Sequence, residues 1–239
     1  MTGSRQTGDA RPTIRVAVDG PSASGKSTVS KRLAEQLDFI YVDSGSLYRA
    51  ITWTANEMNV APEDTAAGGS FLGGLIAEPY LVGRDLRFKV NGTDPGDALR
   101  SEAVVERVSD VAAVPEVREF VVERLRDAAR MGNLVMEGRD IGSVVFPDTP
   151  FKYYLDADPG ERARRRFAER ESGSGSEGLE AVRDSLDRRD RKDTSRQTAP
   201  LQIPEGACII NTTNLSLDEV VARIEESIRK ECPTLSCPE

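Results

Sequence analysis

Gly20-Pro21-Ser22-Ala23-Ser24-Gly25-Lys26-Ser27 fits the pattern GxxxxGK[ST], whose residue types and spacing suit one task, the holding of a phosphate chain. Glycines let the backbone curl until successive N–H groups face inward, the start of a helix adds partial positive charge, and Lys26 reaches the β- and γ-phosphates. Ser27 offers its hydroxyl to Mg2+, and Thr28 closes the segment expected to bind ATP. Such a site does not name the reaction, because ATPases, switches and small-molecule kinases share it. The guanine-reading tetrapeptide NKxD does not occur in the chain.

Two further clusters could supply an acceptor site. Asp43-Ser44-Gly45-Ser46-Leu47-Tyr48-Arg49 and Gly138-Arg139-Asp140-Ile141-Gly142 each follow a short apolar run, and open parallel sheets place their ligands at the carboxyl edge of such strands. Arg49 and Arg139 present forks for a phosphate. Read singly, they could be surface ion-pair partners and Asp140 a turn residue; taken jointly, the two loops should face one cleft. Between Glu161 and Arg196 lie ten arginines and one lysine interleaved with nine acidic residues, split by SGSGSEG at Ser172 to Gly178. Interleaving favours solvated helices over a nucleic-acid arm. A flap beside a Gly/Ser hinge could carry Arg162 and Arg165 across a migrating phosphoryl group and exclude water.

The elements that must position these groups alternate. Thr13 to Val18 reads as a strand, Lys26 to Leu37 as a helix, Phe39 to Val42 as a strand and the stretch through Leu47, Ile51 and Met58 as a helix. From 61 to 110 the glycine pairs 68–69 and 73–74, with Leu86 to Val90 running into Asn91-Gly92, predict a small antiparallel insertion with its hairpin turn at Asn-Gly. Helices follow at Ser101 to Val111 and Pro115 to Met131, then strands at Leu134 to Met136 and Phe151 to Leu155. Arg-rich helices span Glu161 to Arg170 and Leu179 to Arg191, a strand spans Ala207 to Ile210, and the capping box Ser216-Leu217-Asp218-Glu219 opens a last helix with Val220, Ile224 and Ile228 inward. Five strands alternating with helices predict an α/β domain with a parallel sheet.

Composition narrows the chemistry. The 239 residues suffice for one core with a modest subdomain, and 38% hydrophobic against 30% charged residues is a globular balance. Zero histidine removes Ser-His-Asp and Cys-His catalysis and every histidine-containing metal site. Cys208, Cys232 and Cys237 are odd in number and form no paired CxxC, so neither a disulfide framework nor structural zinc is expected. A net charge of -8 argues against a whole-surface nucleic-acid binder. No stretch approaches the roughly 20 apolar residues of a membrane span, and Met1 to Pro12 lacks an apolar stretch, so a disordered extension on a cytoplasmic protein is the expectation.

The blocks DGPSASGKST, DSGSLYR, VPEVR, EGRDIGSVVFPD and RDRKDTSRQTAPL together resemble the bacterial cytidylate kinases, over about residues 14 to 229. The resemblance implies a three-layer P-loop kinase fold: a five-stranded parallel sheet with helices on both faces, built from 13–60 and 111–239. It also implies a small, mostly antiparallel insertion at 61–110 that binds the nucleoside monophosphate, and a helical LID at about 160–190. By the same resemblance Arg49, Arg139 and Arg196 grip the acceptor phosphate, Ser44 and Tyr48 line that pocket, Ser109, Arg118 and Asp140 read the cytosine, and Arg189 and Asp193 hold the sugar hydroxyls. Asp140 and Ser109 can accept from the cytosine 4-amino group while Arg118 donates to N3 or O2; uracil presents a carbonyl where the amine stood. The expected reaction is transfer of the γ-phosphoryl of ATP-Mg to CMP or dCMP, by a monomer with no nucleic-acid or membrane partner. Catalysis would rest on Lys26, Arg139, Arg162 and Arg165, with Ser27 on the metal. The alternatives are a kinase for another small acceptor such as UMP, and a nucleotide-dependent switch.

Overall fold

Val16 and Val18 of β1 (Arg15–Asp19) point to one side of a sheet and Ala17 to the other, and all three are fully buried. Such a strand must be covered on both faces. On one side Val16 and Val18 pack with α1 (Lys26–Leu37) and α8 (Leu217–Glu231) through Leu33, Ile224 and Ile228. On the other, Ala17 joins a core built with α2 (Ser44–Glu57), α4 (Glu102–Val111) and α5 (Pro115–Ala128), centred on Leu47, Ile51, Val121 and Leu125. The result is three layers. The computed structural model describes residues 13–63, 65–171 and 178–232. The N-terminal extension expected at 1–12 and, save Gly178, the hinge expected at 172–178 lie outside the described residues, as does Cys237.

The sheet has seven strands rather than the five expected, in the order β3-β4-β2-β5-β1-β6-β7. β2 (Ile40–Asp43), β5 (Leu134–Gly138), β1, β6 (Lys152–Asp156) and β7 (Cys208–Asn211) are parallel and form the anticipated alternating core. The two additional strands are a hairpin, β3 (Ala77–Val82) and β4 (Asp85–Val90), whose second strand pairs parallel to β2 at Tyr41 and Val42. The hairpin therefore extends the main sheet.

Its turn also differs from expectation. The chain reverses at Gly83-Arg84, while Asn91-Gly92 takes up positive φ at both residues (50° and 76°) in a tight turn after β4 that joins no pair of strands. Pro95, which has no N–H to offer a ladder, follows shortly after. The insertion is largely helical besides, with α3 (Thr65–Gly73) containing both Gly68 and Gly69, and a tight turn at Gly96–Arg100 leading into α4. A Cβ on Gly68 would sit 2.5 Å from the Pro62 carbonyl, so this helix packs where only glycine fits.

The Arg-rich segments form α6 (Pro159–Glu171) and α7 (Leu179–Ser195), which pair over a small cluster of their own: Ala163, Val182 and Leu186, with Phe167 and Ala23 alongside. The capping box at Ser216 and Glu219 is present, with Val220, Ile224 and Ile228 inward as expected. Among the described residues no helix is long and apolar enough to cross a membrane.

Candidate active site

Gly20 begins the phosphate-binding loop directly after β1, at φ 147°, and a Cβ there would lie 2.0 Å from the Leu155 carbonyl oxygen of β6. Only glycine lets the loop turn off the strand so close to its neighbour. Ala23 and Gly25 also have positive φ (59° and 93°), which curls the segment ahead of α1. Lys26 is buried at the first turn of α1, its Nζ donating to the Pro21 carbonyl at 2.6 Å and reaching the Ser24 hydroxyl at 3.4 Å. Burial, reinforced by the nearby Arg139, pushes its pKa down to about 7 against the opposing pull of Glu137 and Asp19. An ammonium held so uncomfortably is relieved by any anion that enters. A cleft at this point is lined by Ala23, Gly25, Lys26, Ser27, Thr28, Arg166 and Glu169.

Arg139 leaves the end of β5 and spans the crevice. Its Nη2 donates to the Ser22 hydroxyl of the phosphate loop at 2.8 Å, and its Nε to Asp193 on α7 at 2.9 Å. Burial works against its charge, yet Asp193, Asp190 and Glu137 hold its pKa above the ordinary guanidinium value. Arg162 bonds the Ser22 carbonyl at 3.2 Å, the Ala157 carbonyl at 3.2 Å and the Asp190 carboxylate, which in turn accepts the Ser22 N–H at 3.2 Å. Arg165 faces Thr212, on whose hydroxyl and carbonyl it donates at 3.0 and 2.8 Å, and Glu161. Arg162 and Arg165 are thus tethered to protein partners here, while Arg166, ion-paired with Glu169 at 3.0 Å, is the arginine of α6 that lines the cleft beside Ser27.

The residues expected to take the acceptor lie on α2, α4, α5, α7, just beyond α7 and in the loop after β5. Asp43 caps α2 and binds Arg49 at 2.5 Å. Arg118 donates to Asp140 and to the Ala112 carbonyl at 3.1 Å, and its guanidinium stands 5.5 Å from the centre of the Tyr48 ring. Arg118 and Asp140 are 3% and 4% exposed, so their pairing is sheltered from screening solvent. Ser109 is half-buried on α4. Arg196 donates from Nε to the Ala199 carbonyl at 2.6 Å, and Asp193 lies 4.0 Å from its Nη1. Arg189 carries a pKa lowered to about 10 by burial and by Arg139.

Several guanidinium nitrogens here are buried with no hydrogen-bond partner: Nε of Arg49, Arg118 and Arg189, and Nη2 of Arg196. Buried donors normally find acceptors, so four guanidinium nitrogens left unpaired are free to meet an anion. Ser44 is the exception among the expected pocket residues. Its hydroxyl is spent on the Glu137 carbonyl at 2.7 Å and packs where a Cβ of Gly138 would fall, which makes it a strut between β5 and α2.

Asp19, Glu137, Asp190, Arg166 and Thr212 belong to this site without having been singled out in the sequence. Asp19 and Glu137 carried a readable signal, an acid closing an apolar strand immediately before a glycine loop. Arg166 lies one helical turn beyond Arg162. Glu137 accepts from the Tyr41 hydroxyl at 2.6 Å, and its pKa is raised by burial and by Asp43, opposed by Lys26 and by a hydrogen bond with Ser27. Among the described residues no group of three metal-ligating side chains is assembled. The Ser27 hydroxyl, hydrogen-bonded to Glu137 at the start of α1, is an oxygen donor of the type that Mg2+ takes.

The family model for cytidylate kinase matches residues 16–230. A cytidylate kinase of Caldanaerobacter subterraneus subsp. tengcongensis is 42% identical over 219 residues, 91% of this chain and 96% of that protein. One from Geobacillus kaustophilus is 44% identical, covering 91% and 97%. Among solved structures, an uncharacterised protein of Eubacterium ventriosum is similar with a TM-score of 0.50 at 13% identity, over 92% of this chain and 99% of that one, a likeness of fold alone.

Proposed function

Because the chain belongs to the cytidylate kinase family, we propose that its cleft transfers the γ-phosphoryl group of ATP to CMP or dCMP. A phosphate oxygen of the monophosphate attacks the γ-phosphorus as the bond to the β–γ bridging oxygen breaks, giving the nucleoside diphosphate and ADP. The observation that carries this reading is Arg139, one guanidinium bonded at 2.8 Å to Ser22 of the phosphate loop and at 2.9 Å to Asp193 on α7. It joins the donor pocket to the acceptor pocket. The acceptor phosphate is already an anionic nucleophile, so catalysis needs alignment and cationic charge and no histidine.

In this reading Gly20 to Thr28 bind the phosphates of ATP, and Lys26, Arg139 and the α6 arginines Arg162 and Arg165 stabilise the charge in flight. Mg2+ would be held by the nucleotide and Ser27, and would neutralise charge on the β- and γ-phosphates. Arg49, Arg139 and Arg196 take the acceptor phosphate, and the unpaired buried nitrogens of Arg49 and Arg196 support this. Arg118 and Asp140 read cytosine with Ser109 beside them, and Tyr48 backs the guanidinium. Arg189 and Asp193 take the sugar. Residues 61–110 serve as the monophosphate-binding segment, and about 160–190 as the LID.

The test is ADP release with CMP, dCMP, UMP and AMP as acceptors. Release that depends on CMP or dCMP and is at least about tenfold weaker in kcat/KM with UMP is expected, since Asp140 would face a carbonyl in uracil and lose its partner. Release independent of any acceptor would instead mark a nucleotide-hydrolysing switch, and equal use of UMP would remove Asp140 from discrimination.

A further inference from the structure

Asp19 has no part in the phosphate loop's pattern, yet it is completely buried and both of its carboxylate oxygens are used. Oδ1 accepts the backbone N–H of Ile141 at 2.8 Å and Oδ2 that of Gly142 at 2.7 Å. These two amides open the wide, π-helical turn Ile141–Val145, where no earlier residue of the turn can satisfy them. The residues immediately before them are Arg139 and Asp140. The residue immediately after Asp19 is Gly20, where the phosphate loop begins.

We propose that Asp19 is a positioning residue for the acceptor half of the site, fastening the Gly138–Gly142 loop so that Arg139 and Asp140 meet CMP in register with the phosphate loop. The proposal rests on the cytidylate kinase reading and extends it to a residue that touches neither substrate. Three further contacts leave the loop little slack. A Cβ on Gly138 would fall 2.6 Å from the Ser44 hydroxyl, and one on Gly142 within 3.1 to 3.2 Å of Pro204 and Lys152. Asp140 itself has φ −148°, ψ 25°, outside helical geometry, so its carboxylate reaches Arg118 from a bend that the two amide bonds pin at its far side.

A carboxylate in this place is costly, since burial raises its pKa to about 6, helped by Asp140 and opposed by the two amides and Lys26. An apolar residue would avoid that cost and strand two buried N–H groups. Asparagine can accept one N–H through its carbonyl, and its NH2 must then face the other. Asp19→Asn is isosteric, so it loosens the loop while leaving the core volume unchanged.

The experiment measures kcat and KM for ATP and CMP, and the kcat/KM ratio of CMP to UMP, in wild type and Asp19→Asn. Loss of one buried hydrogen bond at the loop is expected to lower kcat/KM for CMP by about 10- to 100-fold and to narrow the CMP:UMP ratio, with KM for ATP moving less than about threefold. A merely structural role would not change discrimination between bases. Equal weakening of both substrates, or an unaltered CMP:UMP ratio, overturns the proposal. Should the variant not fold, wild-type protein decides. The Ile141 and Gly142 amide protons should exchange with solvent at least about tenfold more slowly than exposed loop amides, since both are held by Asp19; exchange as fast as in an exposed loop overturns it. Wild type that turns over no acceptor would sink the kinase reading, whereas wild-type turnover with an indifferent Asp19→Asn sinks this proposal alone.

Discussion

Lys26 is the residue at which the free site is least at ease. It is 5% exposed and bonded to one carbonyl and one hydroxyl, and burial, with Arg139 pressing on it, brings its pKa down to about 7 from the ordinary lysine value of 10.5. Phosphates placed against it favour the charged form and return the pKa toward its ordinary range. Between those values the free enzyme holds Lys26 neutral and the complex holds it protonated. ATP binding at about pH 8.5 should therefore take up about one proton, and affinity should weaken as pH rises from about 7 toward 10. Calorimetry in buffers of different ionisation enthalpy reads the uptake directly. Lys26→Met should abolish it and lower kcat steeply, whereas binding without proton uptake in wild type would mean that Lys26 is charged before ATP arrives.

At the scale of elements, Gly20 and Gly25 look alike in the motif and differ in what surrounds them. A Cβ on Gly20 meets the Leu155 carbonyl at 2.0 Å, so β6 must move; on Gly25 the nearest atom is a flexible Arg165 nitrogen at 3.6 Å, and the cost is that of φ 93°. Gly20→Ala should cost on the order of 3 kcal/mol or more, a fall in Tm of roughly 6 to 12 °C, against about 1 to 2 kcal/mol for Gly25→Ala. Equal losses in thermal unfolding would show that β6 yields easily. The same contrast explains what the sequence made legible. A phosphate loop, the alternating core strands and the Ser216 capping box are consequences of local patterns. The pairing of β4 with β2 joins segments some forty residues apart through backbone groups that no side-chain pattern encodes, so five strands became seven. Asn91-Gly92 does form the turn its chemistry prefers, but a hairpin also needs a strand on each side, and Gly83-Arg84 has both. The roles of Asp19 and Glu137 depend on which atoms of distant loops come within 3 Å, which spacing along the chain does not specify.

For the whole molecule, the decisive question is how firmly α6 and α7 are held over the cleft. Their shared apolar cluster is small, Ala163, Val182 and Leu186, and separate from the two large cores that clamp the sheet; from the phosphate loop only Ala23 packs against it. What ties the pair to the body is polar: Asp190 on the Ser22 N–H, Asp193 on Arg139, Arg165 on Thr212, and Lys192 on Asp110 of α4 at 2.7 Å. Lys192 and Asp110 are each about half exposed, so that link contributes little, whereas the inner contacts reach Ser22 and Arg139, where the proposed substrates' phosphates would compete for the same donors. A unit with its own core and replaceable polar ties opens at lower free energy than the sheet. Amide hydrogen exchange in α6 and α7 should accordingly be much faster than in β1 and β5 of the free protein, and should slow when ATP and CMP analogues bind together. Lys192→Ala should leave kcat within about twofold, because the exposed pair is not what closes the cleft. Exchange in α7 as slow as in β1 without ligand would show a rigid roof, and substrates would then have to enter by movement of the 61–110 segment instead.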